Sequence, residues 1–536
     1  MADDYHRDAQ ALADFFSRRL NLSSQALIGV LSDLLKAQED GHVCLRLTPK
    51  QRAFLAKLRG LYLPHGQAPL VLEDDRLYFQ RLWRYEEILA ARVRQLLAAA
   101  KRPVDEVKLG RLAQASGLDE SQREAVRRAA AVDFGILTGG PGTGKTTTAL
   151  QLVALLLWQQ PRLSCHGHAG GRVALAAPTG KAAQRLKDSI GQRVRSLPVP
   201  DSVKAAIPTE ATTLHRLLGA RPDSVRVSYD AENPLPYEAV VVDEASMVDL
   251  ALMSKLLQAL PPGGRLYLLG DRDQLASVEA GSVLADLCDG APAHTFRLTT
   301  THRFHARLGA LAQAVRDGSV REVEELLGPD YLPVSEDSLW QAVDDAFAGY
   351  WQEVTACSDP GKILTALARF RVLCAHRRGP LGSDWLNLQL SLRFKRKGQI
   401  PSRDASARGG DYYPGRPILI TANAPELGLF NGDIGVCLEG KVWFESGRGF
   451  APARLPAHET AFAMTVHKSQ GSEFERVLLV LPAKSSEVLS RELIYTAVTR
   501  ARTEVQCWGP KAVLSEALGR RVQRHGGLRF KLAKNP

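Results

Sequence analysis

The run Gly139-Gly-Pro-Gly-Thr-Gly-Lys-Thr146 constrains this chain more than any other segment, because it fills every position of the phosphate loop G-x-x-x-x-G-K-[S/T]. Such a loop works only between a buried strand and a helix, so it commits the chain to a parallel α/β sheet domain. The flanks agree: Phe134 to Thr138 reads as a short apolar strand, and Thr147 to Leu156 as a helix. Gly139, Gly140, Pro141, Gly142, Thr143 and Gly144 form a loop whose backbone N–H groups can close around phosphates. Lys145 is placed to reach the β/γ-phosphates, the Thr146 hydroxyl to hold Mg²⁺, and Thr147 continues into a helix whose positive dipole end adds to the cradle. The expected ligand is a nucleoside triphosphate. What its hydrolysis drives is left open, since phosphate loops serve kinases, GTPases, transporters and motors alike.

Composition narrows that choice. A chain of 536 residues has room for about three to four domains. Sixty-nine basic against 58 acidic residues give a net charge of +11 and a pI near 9.3, which favours a polyanionic partner, nucleic acid first. The seven cysteines are scattered with no C-x-x-C pair, so neither a zinc ribbon nor a disulfide framework is expected and a reducing cytoplasm fits. The N-terminus carries no basic-then-apolar signal, and no run approaches the ~18 apolar residues of a membrane span. The expectation is a cytoplasmic protein without a membrane partner.

Along the chain, residues 1–110 show helical periodicity (Leu12, Phe15, Phe16; Leu27, Val30, Leu31, Leu34, Leu35; Trp83, Ile88, Leu89) and no catalytic constellation, which points to a helical domain used for docking. Lys101 to Gly117, with Pro103, Gly110 and Gly117, reads as the linker. Residues 111–300 then alternate short strands (Val173–Ala177, Ala239–Val242, Arg265–Leu269) with helices, the pattern of a parallel sheet. A second such series fills 301–536, with Phe370–Ala375, Phe462–Val466, Arg476–Leu481 and Val505–Trp508, but without a phosphate loop. Two sheet domains sharing one loop predict a nucleotide clamped at the cleft between them. Two inserts interrupt the series: a projecting hairpin at about 219–238 and a Gly- and Pro-rich, β-forming stretch at about 398–456 that reads as a small β-barrel.

Further chemistry lies in Val240-Val-Val-Asp-Glu-Ala-Ser-Met-Val-Asp249. An apolar strand ending in Asp243 and Glu244 offers one carboxylate for Mg²⁺ and a second to polarise the attacking water. Leu269-Gly-Asp-Arg-Asp-Gln-Leu-Ala-Ser277 delivers Gln274 toward the same cleft, and Glu492-Leu-Ile-Tyr-Thr-Ala-Val-Thr-Arg-Ala-Arg502 reads as a helix carrying Arg500 and Arg502.

Together with Ala463-Met-Thr-Val-His-Lys-Ser-Gln-Gly-Ser-Glu-Phe474, this ordered set resembles the motifs of superfamily 1 helicases, and within it the RecD group, the exodeoxyribonuclease V alpha subunits. Leu118-Asp-Glu-Ser-Gln122 is similar to the family's adenine-reading segment. Ala177-Pro-Thr-Gly-Lys-Ala-Ala183 is similar to its first DNA-contact motif. Thr213-Leu-His-Arg-Leu-Leu-Gly219 and Leu298-Thr-Thr-Thr-His-Arg303 continue the series from Leu118 to Trp508, and Gly41-His-Val-Cys44 with Leu77-Tyr-Phe-Gln-Arg-Leu-Trp-Arg-Tyr-Glu86 looks like the family's amino-terminal domain. The resemblance implies an α/β fold of two RecA-like parallel-sheet domains of the P-loop type, a helical N-terminal domain and a small SH3-like β-barrel insert. It implies an ATP- and Mg²⁺-dependent 5′-to-3′ translocase on single-stranded DNA that works on duplex ends in break repair, in a heterotrimer with RecB-like and RecC-like subunits. Gln122 would read adenine and Gln274 sense the γ-phosphate. Arg303 and Arg500 would neutralise transition-state charge, and Thr179, Lys181, His215, Thr465 and His467 would contact DNA.

Other features read more plainly. Cys165-His-Gly-His168 sits in a Gly-rich loop without a distant partner pair and is assigned no metal. Basic clusters at Arg393, Lys395, Arg396 and Lys397, and at Arg520, Arg521, Arg524, Arg529 and Lys531, read as solvated faces, with DNA contact as the minority reading. No carboxylate cluster for a nuclease site is evident, so any cutting belongs to a partner. The alternatives are a stand-alone RecD-like helicase, which would usually carry a longer N-terminal region, and an ATP-regulated structural subunit with an idle motor.

Overall fold

The strands flanking the phosphate loop are apolar on both faces, and the reason is visible in how they are covered. The computed structural model describes residues 8, 10–15, 18, 24–56, 68–160, 173–221, 224–277, 279–300, 306–400 and 412–533. Its first large sheet has six parallel strands in the order Ala211–Thr213, Val173–Ala177, Ala239–Val242, Arg265–Gly270, Phe134–Thr138, Thr295–Arg297. Because side chains alternate along a strand, Phe134, Ile136, Val240, Val242, Leu266 and Leu268 enter one helical layer, while Leu137, Ala239, Val241, Tyr267 and Leu269 enter the other. Helices Glu106–Ser116, Glu120–Ala130, Lys145–Gln159 and Gly180–Val194 form the second layer.

The second sheet is also parallel throughout, in the order Tyr331–Leu332, Ala501–Trp508, Phe474–Val480, Phe370–Cys374, Ala463–Thr465. Helices Ala306–Asp317, Arg491–Val498 and Lys511–Gly519 pack on one face, and Glu336–Ala356, Pro360–Ala368 and Ser383–Arg396 on the other. The two-sheet α/β architecture expected from the sequence is therefore present.

Several expectations are revised. The insert in the second domain is a five-stranded antiparallel sheet with Gly449–Phe450 and His458–Thr460 at its two edges; its pairing is linear and, among the described residues, does not close into a barrel. The expected hairpin near 219–238 forms no ladder in its described residues. There Asp230 Oδ1 accepts from the N–H groups of Glu232 (2.9 Å) and Asn233 (3.0 Å), and Pro234 and Pro236 have no N–H to offer a partner strand. The expected linker is instead largely helix Glu106–Ser116, capped by Asp105 and ended by Gly117 in the left-handed conformation, and Arg102 is tied to Asp133 at 2.6 Å.

The amino-terminal region is not purely helical. It holds a three-stranded antiparallel sheet, Leu45–Arg46, Arg76–Phe79 and Leu70–Glu73. Nor does it stand apart, since helix Gln80–Leu97 lays Leu82, Leu89, Ala90 and Val93 into the first sheet domain's core, beside helix Leu250–Ala259. Trp83 packs against that same core, Phe15 is 54% exposed, and Phe16 lies outside the residues whose side chains are described.

The chain end also departs from the expected domain limits. After helix Lys511–Gly519 it crosses back as a strap: His525 O accepts from Val43 N at 2.8 Å, and the His525 and His42 rings stack at 4.6 Å. Gly527 N donates to the buried Glu86 carboxylate at 2.8 Å. Helix Leu528–Ala533 then buries Leu528 and Leu532 in the first domain's core, and Lys531, read from sequence as solvated, is buried between Glu73 (2.6 Å) and Glu87. Among the described residues no helix is long and apolar enough to cross a membrane.

Candidate nucleotide and DNA sites

The strand Phe134–Thr138 ends where its register partner Arg265–Gly270 ends, so the phosphate loop and the Asp271–Gln274 turn emerge side by side. The loop is built around glycine: Gly142 and Gly144 both have φ +79°, and a Cβ on Gly139 would come 2.7 Å from the Thr143 hydroxyl. The Lys145 ammonium lies across the loop, donating to the carbonyls of Gly139 (2.6 Å) and Gly140 (3.1 Å). The Thr146 hydroxyl donates to Asp243 Oδ2 at 3.2 Å.

Asp243 stands at the end of the central strand Ala239–Val242. Burial, reinforced by the neighbouring Glu244 carboxylate, pushes its pKa up to about 6. Glu244 follows in the left-handed region (φ 51°), with its N–H donating to Asp243 Oδ1 at 2.8 Å. A non-glycine residue held there stores backbone strain, and it turns the Glu244 side chain out of the sheet's end.

Across the cleft, Arg500 is 3% exposed, its guanidinium held by the carbonyls of Thr496 (3.2 Å) and Ser472 (3.3 Å). The helix that was expected to carry it stops at Val498, and Ala501 already begins a strand. Arg500 thus sits in the connecting turn, and Arg502 lies on the strand paired with Glu473 at 3.3 Å. The β-branched Val498 and Thr499 favour that early stop.

A cleft of about 550 Å³ gathers these groups: Gln122, Pro141, Gly142, Gly144, Lys145, Thr146, Thr147, Asp243, Glu244 and Gln274 from the first domain, Arg500 and Glu473 from the second. Gly139 and Thr143 are buried, and Gly140 faces the neighbouring cavity beside Tyr495. Gln122 is spent locally: it closes a capping box with Asp119, and its amide donates to Thr143 O at 3.1 Å, bracing the loop. Arg303 and Cys165 to His168 lie outside the described residues.

Sequence reading missed the link between the domains. Tyr495 donates its hydroxyl to Asp271 Oδ2 at 2.9 Å, and the same oxygen accepts from Gln274 Nε2 at 3.3 Å. Leu275 N donates to Thr496 Oγ1 (3.0 Å), and Gln470 Nε2 to Leu275 O (2.9 Å). Asp271 is buried and its pKa is raised for that reason. The signal was present in the sequence, as Tyr495 lies in the same short segment as Arg500, but nothing in the spacing says which carboxylate it meets.

The five candidate DNA residues divide. His215 is exposed on the short helix Leu214–Leu217, and His467 begins a 3₁₀ turn where burial, with the charge of Arg524, lowers its pKa. Thr179 caps helix Gly180–Val194, accepting from Ala182 N, and Thr465 is buried and accepts from Lys468 N. Lys181 is a strut between the domains: its ammonium donates to Gly432 O of the inserted sheet (3.1 Å) and to the Ser472 hydroxyl (2.8 Å). Burial and the nearby Arg185 push its pKa down to about 8. Of the first basic cluster, Arg393 and Lys397 both pair with Asp344, at 2.8 Å and 2.6 Å.

A phosphate loop on one sheet, an acidic strand end beside it and an arginine presented by a second parallel sheet define a two-domain nucleotide-binding P-loop protein. Comparison with known proteins makes the class specific. Residues 122–280 match the model of an AAA domain, and 460–506 that of a UvrD-like helicase C-terminal domain. A RecBCD enzyme subunit RecD of Mycolicibacterium smegmatis is 42% identical over 496 residues, 90% of this chain and 87% of the relative. A RecBCD enzyme subunit RecD of Haemophilus influenzae is 35% identical across 86% of this chain and 81% of the relative. The chain belongs to the RecD family. An ATP-dependent RecD2 DNA helicase of Deinococcus radiodurans is 34% identical across 80% of this chain but only 54% of its own length.

Proposed function

We propose that the protein is the ATP-driven, 5′-to-3′ DNA helicase subunit of a RecBCD-type helicase–nuclease, assembled with RecB-like and RecC-like subunits to process double-strand DNA ends. The observation that carries the reading is the shared cleft, where the phosphate loop, Asp243, Glu244 and Gln274 of one domain face Arg500 of the other. An idle structural subunit has no need of that convergence. Family membership and the charge of +11 support DNA as the track.

The residues fit ATP and Mg²⁺. The loop holds its shape only with glycine at 139 and 144, where a Cβ would run into Thr143 or Gln122, and Thr146 with Asp243 is a hard-oxygen pair suited to Mg²⁺. When bound, ATP with Mg²⁺ supplies a phosphoryl bond whose hydrolysis releases the energy for movement. Lys145 must leave the Gly139 and Gly140 carbonyls to bind phosphate oxygens, so the loop's own hydrogen bonds hold its ammonium at the loop beforehand. Glu244 is turned outward to take a proton from an attacking water. Arg500, anchored through carbonyls rather than carboxylates, keeps its full charge for the transition state. Gln274, tied to Asp271 and through it to Tyr495, links the state of the cleft to the second domain.

Lys145→Gln is expected to abolish single-stranded-DNA-stimulated ATP hydrolysis while the three subunits still co-purify. Forked substrates with a single tail read the polarity. Unwinding from a 3′ tail alone would refute the assignment, and DNA-independent turnover by the wild-type complex would favour the idle-motor alternative.

A further inference from the structure

The second basic cluster of the sequence does not behave as one surface. Lys531 is buried among glutamates; Arg520 is bonded to the carbonyls of Ser486 and Leu489, and Arg524 to those of Glu279 (2.8 Å) and Gly281 (2.9 Å). Arg521 and Arg529 remain. Neither makes a side-chain hydrogen bond or close ion pair among the described residues; Arg529 stacks over Phe530 at 4.6 Å, and its charge is felt at Asp286.

These two arginines do not simply point into bulk water. The strap carries them to the rim of a cavity of about 470 Å³ on the far side of Gln274 and Tyr495 from the phosphate loop. Arginines from four other parts of the chain converge there: Arg46 and Arg76 from the N-terminal sheet, Arg272 beside Asp271, Arg316 and Arg491 from the second domain. In all, eight arginines line the cavity against four carboxylates. One of the four, Asp286, is pushed by burial up to about 7 and so carries only part of its charge near neutrality. Arg46, Arg76, Arg272 and Arg316 are met by Asp75, Asp74, Asp289 and Asp273, and Arg491 and Arg524 by backbone carbonyls, so the arginines left to meet an outside anion are Arg521 and Arg529.

We propose that the C-terminal strap makes the rear of the interdomain cleft a second phosphate-binding surface for single-stranded DNA, with Arg521 and Arg529 as the cations that meet the phosphates. The inference rests on the DNA-motor reading above and adds a contact area outside the sequence motifs that carry that reading. Guanidinium groups not already held by a hydrogen bond are suited to backbone phosphates, which they grip without reading sequence. The strap's attachment to all three domains gives the contact a mechanical use: a strand held here is held by the element that joins the second domain to the first.

The experiment uses the full assembled protein and a fluorescent oligothymidine, with affinity measured across a salt series. The double variant Arg521→Ala/Arg529→Ala is compared with Lys395→Ala/Arg396→Ala, which removes the same charge from the other basic cluster. Loss of two phosphate contacts should lower the slope of log K against log[salt] by about 1.4 in the first variant and leave it unchanged in the second. Turnover of ATP without DNA should be the same in both. Equal slopes in the two variants would overturn the proposal, because only total charge would then matter. If the strap variant instead loses inhibition by inorganic pyrophosphate while its DNA slope is unchanged, the cavity takes free phosphate and the DNA assignment fails. Wild-type protein that does not bind the oligonucleotide would defeat the motor reading itself, which is a separate result.

Discussion

The two sheet domains are built alike and used differently. In the first, the strand Phe134–Thr138 runs into a glycine loop, and the strand beside its neighbour ends in Asp243 and Glu244, so nearly every group that can hold a nucleotide comes from one domain. In the second, the strand Phe370–Cys374 ends without such a loop, and the domain's contributions are Arg500, Glu473 and the Tyr495 hydroxyl. One sheet binds and the other completes. A motor needs that asymmetry, because chemistry that depends on a group from the far side proceeds only when the domains are closed.

The largest effect that sharpens this contrast is expected at Arg500. Arginines supplied to phosphoryl-transfer transition states are worth about 10³–10⁵ in rate, and lysine lacks the planar fork. Arg500→Lys should therefore lose at least about 10³-fold in single-turnover hydrolysis with saturating single-stranded DNA, while nucleotide affinity falls far less. Near-normal turnover would place all of the chemistry in the first domain and remove the division of labour.

A smaller effect is expected at Tyr495, which acts through Asp271 and Gln274 and so is a positioning residue. Tyr495→Phe keeps the ring and removes one hydrogen bond to a buried carboxylate, a loss of about 1–3 kcal/mol. kcat should fall about tenfold, with KM for ATP little changed and less stimulation by DNA. A proportional rise in KM with kcat intact would mean that Tyr495 only shapes the pocket beside Gly140.

Legibility followed the range of the interactions. The phosphate loop, the acidic strand end and the buried strands of both sheets are local patterns; the strands of the first sheet that were expected lie within a residue of their place, while the strand expected at Val505–Trp508 begins four residues earlier, at Ala501. Arg500 was legible as chemistry but misplaced on a helix, because a helix end is fixed by one or two residues. The strap was not legible at all: Lys531 reads as a surface lysine until Glu73 and Glu87, far away in sequence, surround it. The linker failed for a related reason, since the glycines at 110 and 117 lie inside and at the end of a capped helix rather than in a loop. What Lys181 touches was likewise not legible, since its ammonium donates to Gly432 and Ser472, both distant in sequence.

The strap also gives the comparison a third party, and pH offers a gentle way to test it. Glu86 is buried where the first domain, the N-terminal helix and the strap meet, accepting from Gly527 N, with Lys531, Asp286 and Glu73 as its charged neighbours. Burial is the main cause of its shift and raises its pKa from 4.5 to about 7, against the opposing pull of the Gly527 N–H and Lys531. The folded protein therefore binds this proton more tightly than the unfolded chain does. The stability it contributes is complete below pH 4.5 and is lost as pH rises through about 7. Glu86→Gln keeps an acceptor for Gly527 N but cannot titrate. Relative to wild type, the variant should therefore gain apparent stability as pH rises from about 4.5 to 7.5, by about 2–3 kcal/mol. The difference between the two melting curves, taken at each pH in buffers of equal ionic strength, isolates Glu86 from Asp286 and the other titrating groups. A pH-independent difference would show that Glu86 is ionised throughout, held by Lys531, and that the strap is fastened by an ion pair rather than by a proton.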